Sequence, residues 1–219
     1  MKRFVIGDIH GRLDALNEVL KKSGFNFDND KLICLGDVCD GDDRVKECID
    51  VLLKVKNLIF ILGNHDAWAK NWMRTGEDFS LWWNQGGEWT AKSYGFQIKN
   101  VPKAHYDLLD NAPLYYEEDG MLFVHGGIKP FIPIKEQDPN TLIWDRSIID
   151  FARYQKIPGF KHVFIGHTTT ELIVKERTYP LTFNNLTMVD TGAGWTGKLS
   201  MIDLDSGEIF QSQQQTPKR

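Results

Sequence analysis

The first sixty residues alternate between short apolar runs and stretches in which apolar residues recur every three or four positions. The runs are Arg3-Phe4-Val5-Ile6, Leu32-Ile33-Cys34-Leu35 and Leu58-Ile59-Phe60-Ile61-Leu62, each with the continuity of a strand buried on both faces. Between them, Leu13, Leu16, Val19 and Leu20 form one helical stripe, and Val45, Ile49, Leu52 and Leu53 form a second. This strand–helix–strand–helix–strand order predicts a parallel sheet with helices packed on it.

From about residue 67 to residue 110 the pattern changes. Trp68, Trp72, Trp82, Trp83 and Trp89 crowd among glycines and glutamines with no strand periodicity. A short helical subdomain covering one end of the sheet is expected there, its tryptophans forming its core rather than a ligand cage. The remainder is β-rich, with runs at Leu114–Glu117, Met121–Val124, His162–Ile165, Leu186–Val189, Lys198–Asp203 and Glu208–Phe210. Glu118-Asp119-Gly120 and Asp205-Ser206-Gly207 are hairpin turns by composition. The polar tail from Gln211 to Arg219 reads as frayed. A single domain over residues 1–219 accommodates all of this.

A formal net charge of −4 argues against a general nucleic-acid or membrane-surface binder, because both need a basic face. It leaves open a small phosphorylated ligand held by local positive charge. No stretch approaches the roughly 20 apolar residues that cross a bilayer. The apolar run after Met1-Lys2-Arg3 is too short for a secretory signal. Cys34, Cys39 and Cys48 are odd in number and form no CxxC pair, which fits reduced thiols and a cytoplasmic location.

The residues that follow each strand carry the chemistry. They read Gly7-Asp8-Ile9-His10-Gly11, Gly36-Asp37-Val38-Cys39-Asp40-Gly41 and Gly63-Asn64-His65-Asp66, then Val124-His125-Gly126-Gly127 and Ile165-Gly166-His167-Thr168. In an open parallel sheet the carboxyl ends of the strands face one crevice, so residues distant in sequence converge there. One such motif alone is more often a helix cap or a turn former. Five strand ends with Asp, Asn or His beside glycine are not explained by turns.

This donor set suits metal. Asp8, His10 and Asp37 can hold one ion; Asp37, Asn64, His125 and His167 can hold a second, with the Asp37 carboxylate bridging. Oxygen and imidazole donors without thiolate favour two divalent transition ions, manganese first, with iron, zinc, nickel or cobalt as alternatives. Two such ions about 3.5–4 Å apart clamp the attacking and leaving oxygens of an in-line displacement and lower the pKa of a bridging water, whose hydroxide is then the nucleophile.

The ordered set GDIHG, GDVCDG, GNHD, VHGG and GHT resembles the calcineurin-like metallophosphoesterase superfamily, and most closely its short bacterial and phage serine/threonine phosphoprotein phosphatases. The resemblance runs from about Val5 to Leu199 and implies a four-layer α/β/β/α sandwich with a dimetal site at its top. By the same resemblance His65 is the general acid that protonates the leaving alkoxide, and Asp40 is the carboxylate that orients it. Arg146 falls where bacterial members place an arginine on the substrate phosphate; its alternative is a surface salt bridge. Asp190-Thr191-Gly192-Ala193-Gly194-Trp195 resembles a supporting loop of these enzymes and of dinucleoside tetraphosphate hydrolases.

There are two departures from the pattern. Gly41 stands where the second motif usually has arginine, with Arg12 or Arg44 as substitutes, and Asp66 replaces a more frequent glutamate. The expected activity is hydrolysis of phosphoserine, phosphothreonine or small phosphoesters. A hydrolase of dinucleoside polyphosphates or of RNA and nucleotide phosphodiesters is the alternative, and a non-catalytic scaffold a third reading. No membrane and no stable nucleic-acid partner are expected.

Overall fold

Along β1 (Arg3–Ile6) both faces are buried, and its alternating side chains enter two different cores. Phe4 and Ile6 join the helical side, where β2 (Lys31–Cys34) adds Leu32 and Cys34, α1 (Leu13–Ser23) adds Leu16 and Val19, and α2 (Val45–Leu52) adds Ile49. Val5 and Ile33 point the other way and meet Phe123 and Phe164 of a second sheet. Those two rings stack at 5.1 Å and 7°. Beyond that sheet, Leu122, Val124, Val163 and Ile165 pack on Leu142, Ile148 and Ile149 of α7 (Pro139–Trp144) and α8 (Ser147–Tyr154). The layers are therefore helix, sheet, sheet, helix, in the order the resemblance implies.

The computed structural model describes residues 1–195 and 197–216. Among these residues the first sheet has the order β10-β9-β1-β2-β3, with β3 at Asn57–Phe60, β9 at Ser200–Asp203 and β10 at Ile209–Gln211. β1, β2 and β3 are parallel, in the register Phe4, Leu32, Leu58, while β9 and β10 are antiparallel additions. The second sheet runs β4 (Tyr115–Glu118), β5 (Met121–Val124), β6 (His162–Ile165), β8 (Leu186–Met188) and β7 (Leu181–Phe183). Its inner strands β5, β6 and β8 are parallel. Strand β7 has no sequence signature beyond Leu-Thr-Phe; it turns into β8 through Asn184, at φ 49°.

The segment after β3 is helical: α3 (Asn64–Thr75), α4 (Ser80–Trp82), a π turn over Trp83–Gly87, α5 (Glu88–Ser93) and α6 (Lys103–Asp110). A last short helix, α9 (Thr170–Ile173), follows the His167 loop. Trp72 and Trp82 are core, as expected, but Trp68, Trp83 and Trp89 are only half-buried and line cavities. Leu53 lies just past the end of α2 and faces solvent rather than joining its apolar stripe.

The tail read as frayed is hydrogen-bonded as far as Thr216. Gln211 closes β10, the amides of Ser212 and Gln215 donate to the carbonyls of Leu199 and Gly197, and the Thr216 carbonyl accepts from Arg12. The carbonyls of Gly197 and Leu199 give this polar stretch partners that composition does not reveal. Residues 217–219 of that tail lie outside the described residues. No described helix is long and apolar enough to cross a membrane.

Candidate metal centre

Because β1, β2 and β3 run parallel, as do β5, β6 and β8, the loops at their carboxyl ends meet at one edge of the sandwich. There the donor atoms of Asp8, His10 and Asp37 lie within 4.8 Å of one another, as do those of Asp37, His125 and His167. Asp37 is common to both groups. Asn64 completes the second, its amide oxygen 2.9 Å from His125 Nε2, which is also 3.3 Å from the Asp37 carboxylate. All six residues expected as ligands are thus gathered in one cage.

The backbone is bent to achieve this. His10, Asp37, Asp40 and His167 all take positive φ (47°, 49°, 69° and 61°), half of the eight non-glycine residues that do so among those described. Such conformations persist where surrounding structure enforces them and cluster at functional sites. Glycine is needed at two contacts: a Cβ at Gly63 would land on the Asp37 carboxylate, and one at Gly166 on that of Asp8.

The donor chemistry fits divalent cations. His10 Nδ1 donates to the Cys39 carbonyl and His125 Nδ1 to the Leu35 carbonyl, leaving both Nε2 lone pairs for a ligand. His125 Nε2 and the Asn64 oxygen are then two acceptors facing each other, which is unfavourable unless a proton or a cation lies between them. Their separation of 2.9 Å matches neighbouring donors on one small ion with bonds of about 2.0–2.2 Å. Asp8 Oδ1 and His167 Nε2 are buried with no hydrogen-bond partner, an arrangement that a bound ion would satisfy.

Charge crowding points the same way. The carboxyls of Asp8, Asp37, Asp66 and Asp190 are each at most 4% exposed in one neighbourhood. Burial, and then the charges of Asp190 and Asp37, push Asp8 well above the ordinary carboxyl range. Burial raises Asp190 to about 6. Asp37 goes the other way: burial opposes its charge, but His125 and His65 outweigh that and hold it far below the usual range. Burial, followed by neighbouring imidazoles, lowers His10 to about 4 and His167 to about 3, keeping both neutral as metal ligands require.

His65 stands at the cage, its ring 5.1 Å from that of His10 and its amide donating to Asp37 Oδ1 at 3.0 Å. Its Nδ1 is 2.6 Å from Asp40 Oδ2. Burial lowers its pKa, yet the charge of Asp37 and the hydrogen bond to Asp40 raise it above the ordinary value in sum. Asp40 is itself fully buried and gripped by the helical cap. Trp82 Nε1 donates to it at 2.9 Å and the Thr90 hydroxyl at 2.6 Å, while that hydroxyl accepts the Asp40 amide at 2.8 Å. The tryptophan-rich segment thus serves the site directly.

Asp66, unremarked in the sequence beyond its replacement of glutamate, organises the bridging loop. Its buried carboxylate accepts the amides of Asp37 (2.6 Å), Val38 (3.0 Å), Cys39 (3.1 Å) and Gly63 (3.1 Å). Its place three residues beyond Gly63 at the start of α3 is that of a capping box, the one local signal for it. Asp66→Ala is expected to cost about 3–5 kcal/mol in chemical denaturation, since four buried amides lose their acceptor. A loss under about 1 kcal/mol would show that water replaces it without penalty.

Arg146 immediately precedes α8, is exposed, and lines a cavity of about 660 Å³ over the cage with Trp68, Trp144 and His167. Among the described residues it has no salt bridge, so the alternative of a surface ion pair is not what the geometry shows. Its charge adds to the lowering of His167 by burial and His125, and it opposes the burial-driven rise of Asp190. Neither substitute for the missing arginine is free. Arg12 is buried, donating to the carbonyls of Ala193, Gly194 and Thr216 and pairing with Asp42. Arg44 pairs with Asp14 and Asp42. Asp190, whose Oδ1 accepts the Gly192 amide, supports the neighbouring loop.

The sequence matches the calcineurin-like phosphoesterase family over residues 1–171. Serine/threonine-protein phosphatase 1 of Salmonella typhimurium LT2 is 26% identical over 204 residues, covering 90% of this chain and 89% of its own. The asymmetrical bis(5'-nucleosyl)-tetraphosphatase of Bacillus cereus strain Q1 is 26% identical over 240 residues, with coverages of 95% and 93%. The solved structure of a metallophosphoesterase from Sphaerobacter thermophilus aligns with a TM-score of 0.62 at 18% identity, over 100% of this chain and 90% of that one, which is likeness of fold. Family dependence on two metal ions agrees with a cage whose two donor groups share one carboxylate. By this match over most of its length, the chain belongs to the calcineurin-like phosphoesterase family and is a metal-dependent phosphatase.

Proposed function

We propose that the chain hydrolyses phosphomonoesters of aliphatic alcohols, the class that holds phosphoserine and phosphothreonine together with sugar and nucleoside phosphates. It does so with two divalent ions, manganese foremost. The observation that carries this reading is the His65–Asp40 pair set beside the cage, its carboxylate buried and its imidazole lining the cavity. An aliphatic alkoxide is a poor leaving group and needs the proton that such a pair delivers.

Asp8, His10 and Asp37 would hold one ion and Asp37, Asn64, His125 and His167 the other. When bound, the ions supply Lewis-acid polarisation of the phosphoryl oxygens and activation of a water. Asp40 fixes the His65 ring through Nδ1, so Nε2 is the atom that passes a proton to the departing oxygen as the P–O bond breaks. Arg146 grips phosphate oxygens from the cavity wall with its planar fork of donors. Trp68 and Trp144, 5.0 Å apart between ring centroids, flank His65 and His167 and limit water around the reacting group.

Charge favours a monoester over a dinucleoside polyphosphate. Arg146 and Arg12 are the arginines lining the two cavities by the cage, among the described residues, and Arg12 is already committed. One free guanidinium matches one phosphoryl group.

The test is hydrolysis of a phosphothreonine peptide and p-nitrophenyl phosphate by protein stripped with chelator, then reloaded with manganese. Activity is expected to vanish and return; full turnover in stripped protein would overturn the reading. Arg146→Ala is expected to raise KM about tenfold or more, consistent with loss of one charged phosphate contact, with a smaller change in kcat. An unchanged KM would place Arg146 outside the phosphate site.

A further inference from the structure

Beside His65 the groove opens into a second cavity of about 450 Å³. It shares His10, His65, Gln85 and Trp195 with the cavity over the cage, so a bound molecule can extend from one into the other past the proton donor. Its floor is backbone at Gly41, Gly86 and Gly194. A Cβ at Gly41, itself at φ 76°, would meet the His10 Cβ at 2.9 Å, and Gly86, at φ 101° in the π turn, packs its bare backbone against Gly41. Its walls are the indoles of Trp83, Trp89 and Trp195.

This lobe is built for a flat, uncharged group. Arg12 is the one arginine or lysine among its described lining residues, and that guanidinium is committed to three carbonyls and Asp42. Asn84, Gln85 and Glu88 supply amide and carboxylate groups at the edges. The Trp89 ring is held in place: Lys92 Nζ sits 4.7 Å from its centroid and pairs with Asp43 at 3.1 Å. Indole faces accept bases of any identity by stacking, and the polar rim can hydrogen-bond a base edge.

We propose that this lobe receives a nucleobase, so that the alcohol released past His65 is a nucleoside and the substrate a mononucleotide. The proposal rests on the phosphomonoesterase reading and narrows its leaving group. Water adds to phosphorus, the bond from phosphorus to the ribose oxygen breaks, and that oxygen takes the His65 proton, giving inorganic phosphate and a nucleoside. A polyphosphate leaving group would put further negative charge where no lysine or free arginine meets it among the described lining residues. An aromatic side chain of a phosphopeptide would use the indoles but leave Asn84, Gln85 and Glu88 without complementary edges.

Two measurements on the full chain test this. Metal-stripped protein is titrated with adenosine, guanosine and ribose while tryptophan fluorescence is followed. Manganese-loaded protein is assayed on AMP, GMP, ribose 5-phosphate, p-nitrophenyl phosphate and a phosphothreonine peptide. Saturable quenching by a nucleoside but not by ribose is expected, weakened in Trp195→Ala, where the side chain is 60% exposed and its truncation spares the core. A nucleotide should have a KM about tenfold or more below that of ribose 5-phosphate, an advantage that shrinks about tenfold in Trp195→Ala and in Trp89→Ala.

Equal KM for nucleotide and ribose 5-phosphate overturns the proposal. So does a peptide whose KM, rather than the nucleotide's, depends on the two tryptophans. Nucleoside binding without turnover of any phosphoester would sink the phosphomonoesterase reading and keep the base site. Turnover of p-nitrophenyl phosphate without nucleoside binding would do the reverse.

Discussion

Asp37→Asn lowers phosphoester turnover by more than about a thousandfold, on the order of 4 kcal/mol of transition-state stabilisation, in a protein that still folds. Folding is preserved for a local reason. Asp37 sits at φ 49°, and asparagine is among the few side chains that accept this region without strain. The amide keeps an oxygen for the His65 N–H that Asp37 Oδ1 now accepts. What it lacks is the charge and the second anionic oxygen that let one group serve both donor sets. Metal content, measured by mass spectrometry, should fall from about two ions per chain to below about one, because ligand charge dominates affinity at such sites. Manganese should raise the melting temperature of the unaltered protein and do so much less for the variant, since only a ligand that binds the folded state stabilises it. Near-normal metal content with lost activity would show that Asp37 acts on the substrate and not as a bridge.

The placement of these donors is legible in the sequence for a geometric reason. Each candidate donor lies at or just past the end of an apolar run and beside glycine, and parallel strands deliver all such positions to one edge. The hydrophobic pattern therefore locates Asp8, Asp37, Asn64, His125 and His167 as soon as the strands are recognised. Strands whose signal is weak stay hidden: β7 contributes three residues of ordinary composition and exists because β8 offers it a free edge. The contacts that tune the site are hidden for another reason. Trp82 reaches Asp40 across 42 positions and Arg12 reaches Ala193 across 181, and no local periodicity encodes either pairing. The tryptophans show the same limit. Spacing cannot distinguish Trp82, sealed in the core and holding a carboxylate, from Trp89, which faces a cavity.

His65→Asn should slow hydrolysis of alkyl phosphates by roughly 10²–10⁴-fold while metal content stays unchanged, the range expected for loss of a positioned general acid. The same substitution should slow p-nitrophenyl phosphate by less than about tenfold, because that leaving group departs without needing a proton. The contrast between substrates matters more than either loss. A purely structural defect, or damage to the neighbouring candidate ligand Asn64, would slow both alike. Asp40 supplies the second half of the argument. With His65 gone, its carboxylate keeps Trp82 Nε1 and the Thr90 hydroxyl as donors, so the cap has no cause to unravel. Asp40 also stands at φ 69°, where asparagine is again tolerated, so Asp40→Asn removes charge with little strain. Acting through His65, Asp40→Asn should cost alkyl substrates about tenfold or more alone and almost nothing once His65 is already asparagine. Two losses that multiply in the double variant would mean that Asp40 shapes the cage by a separate route, and that the dyad is not the unit that protonates the leaving oxygen.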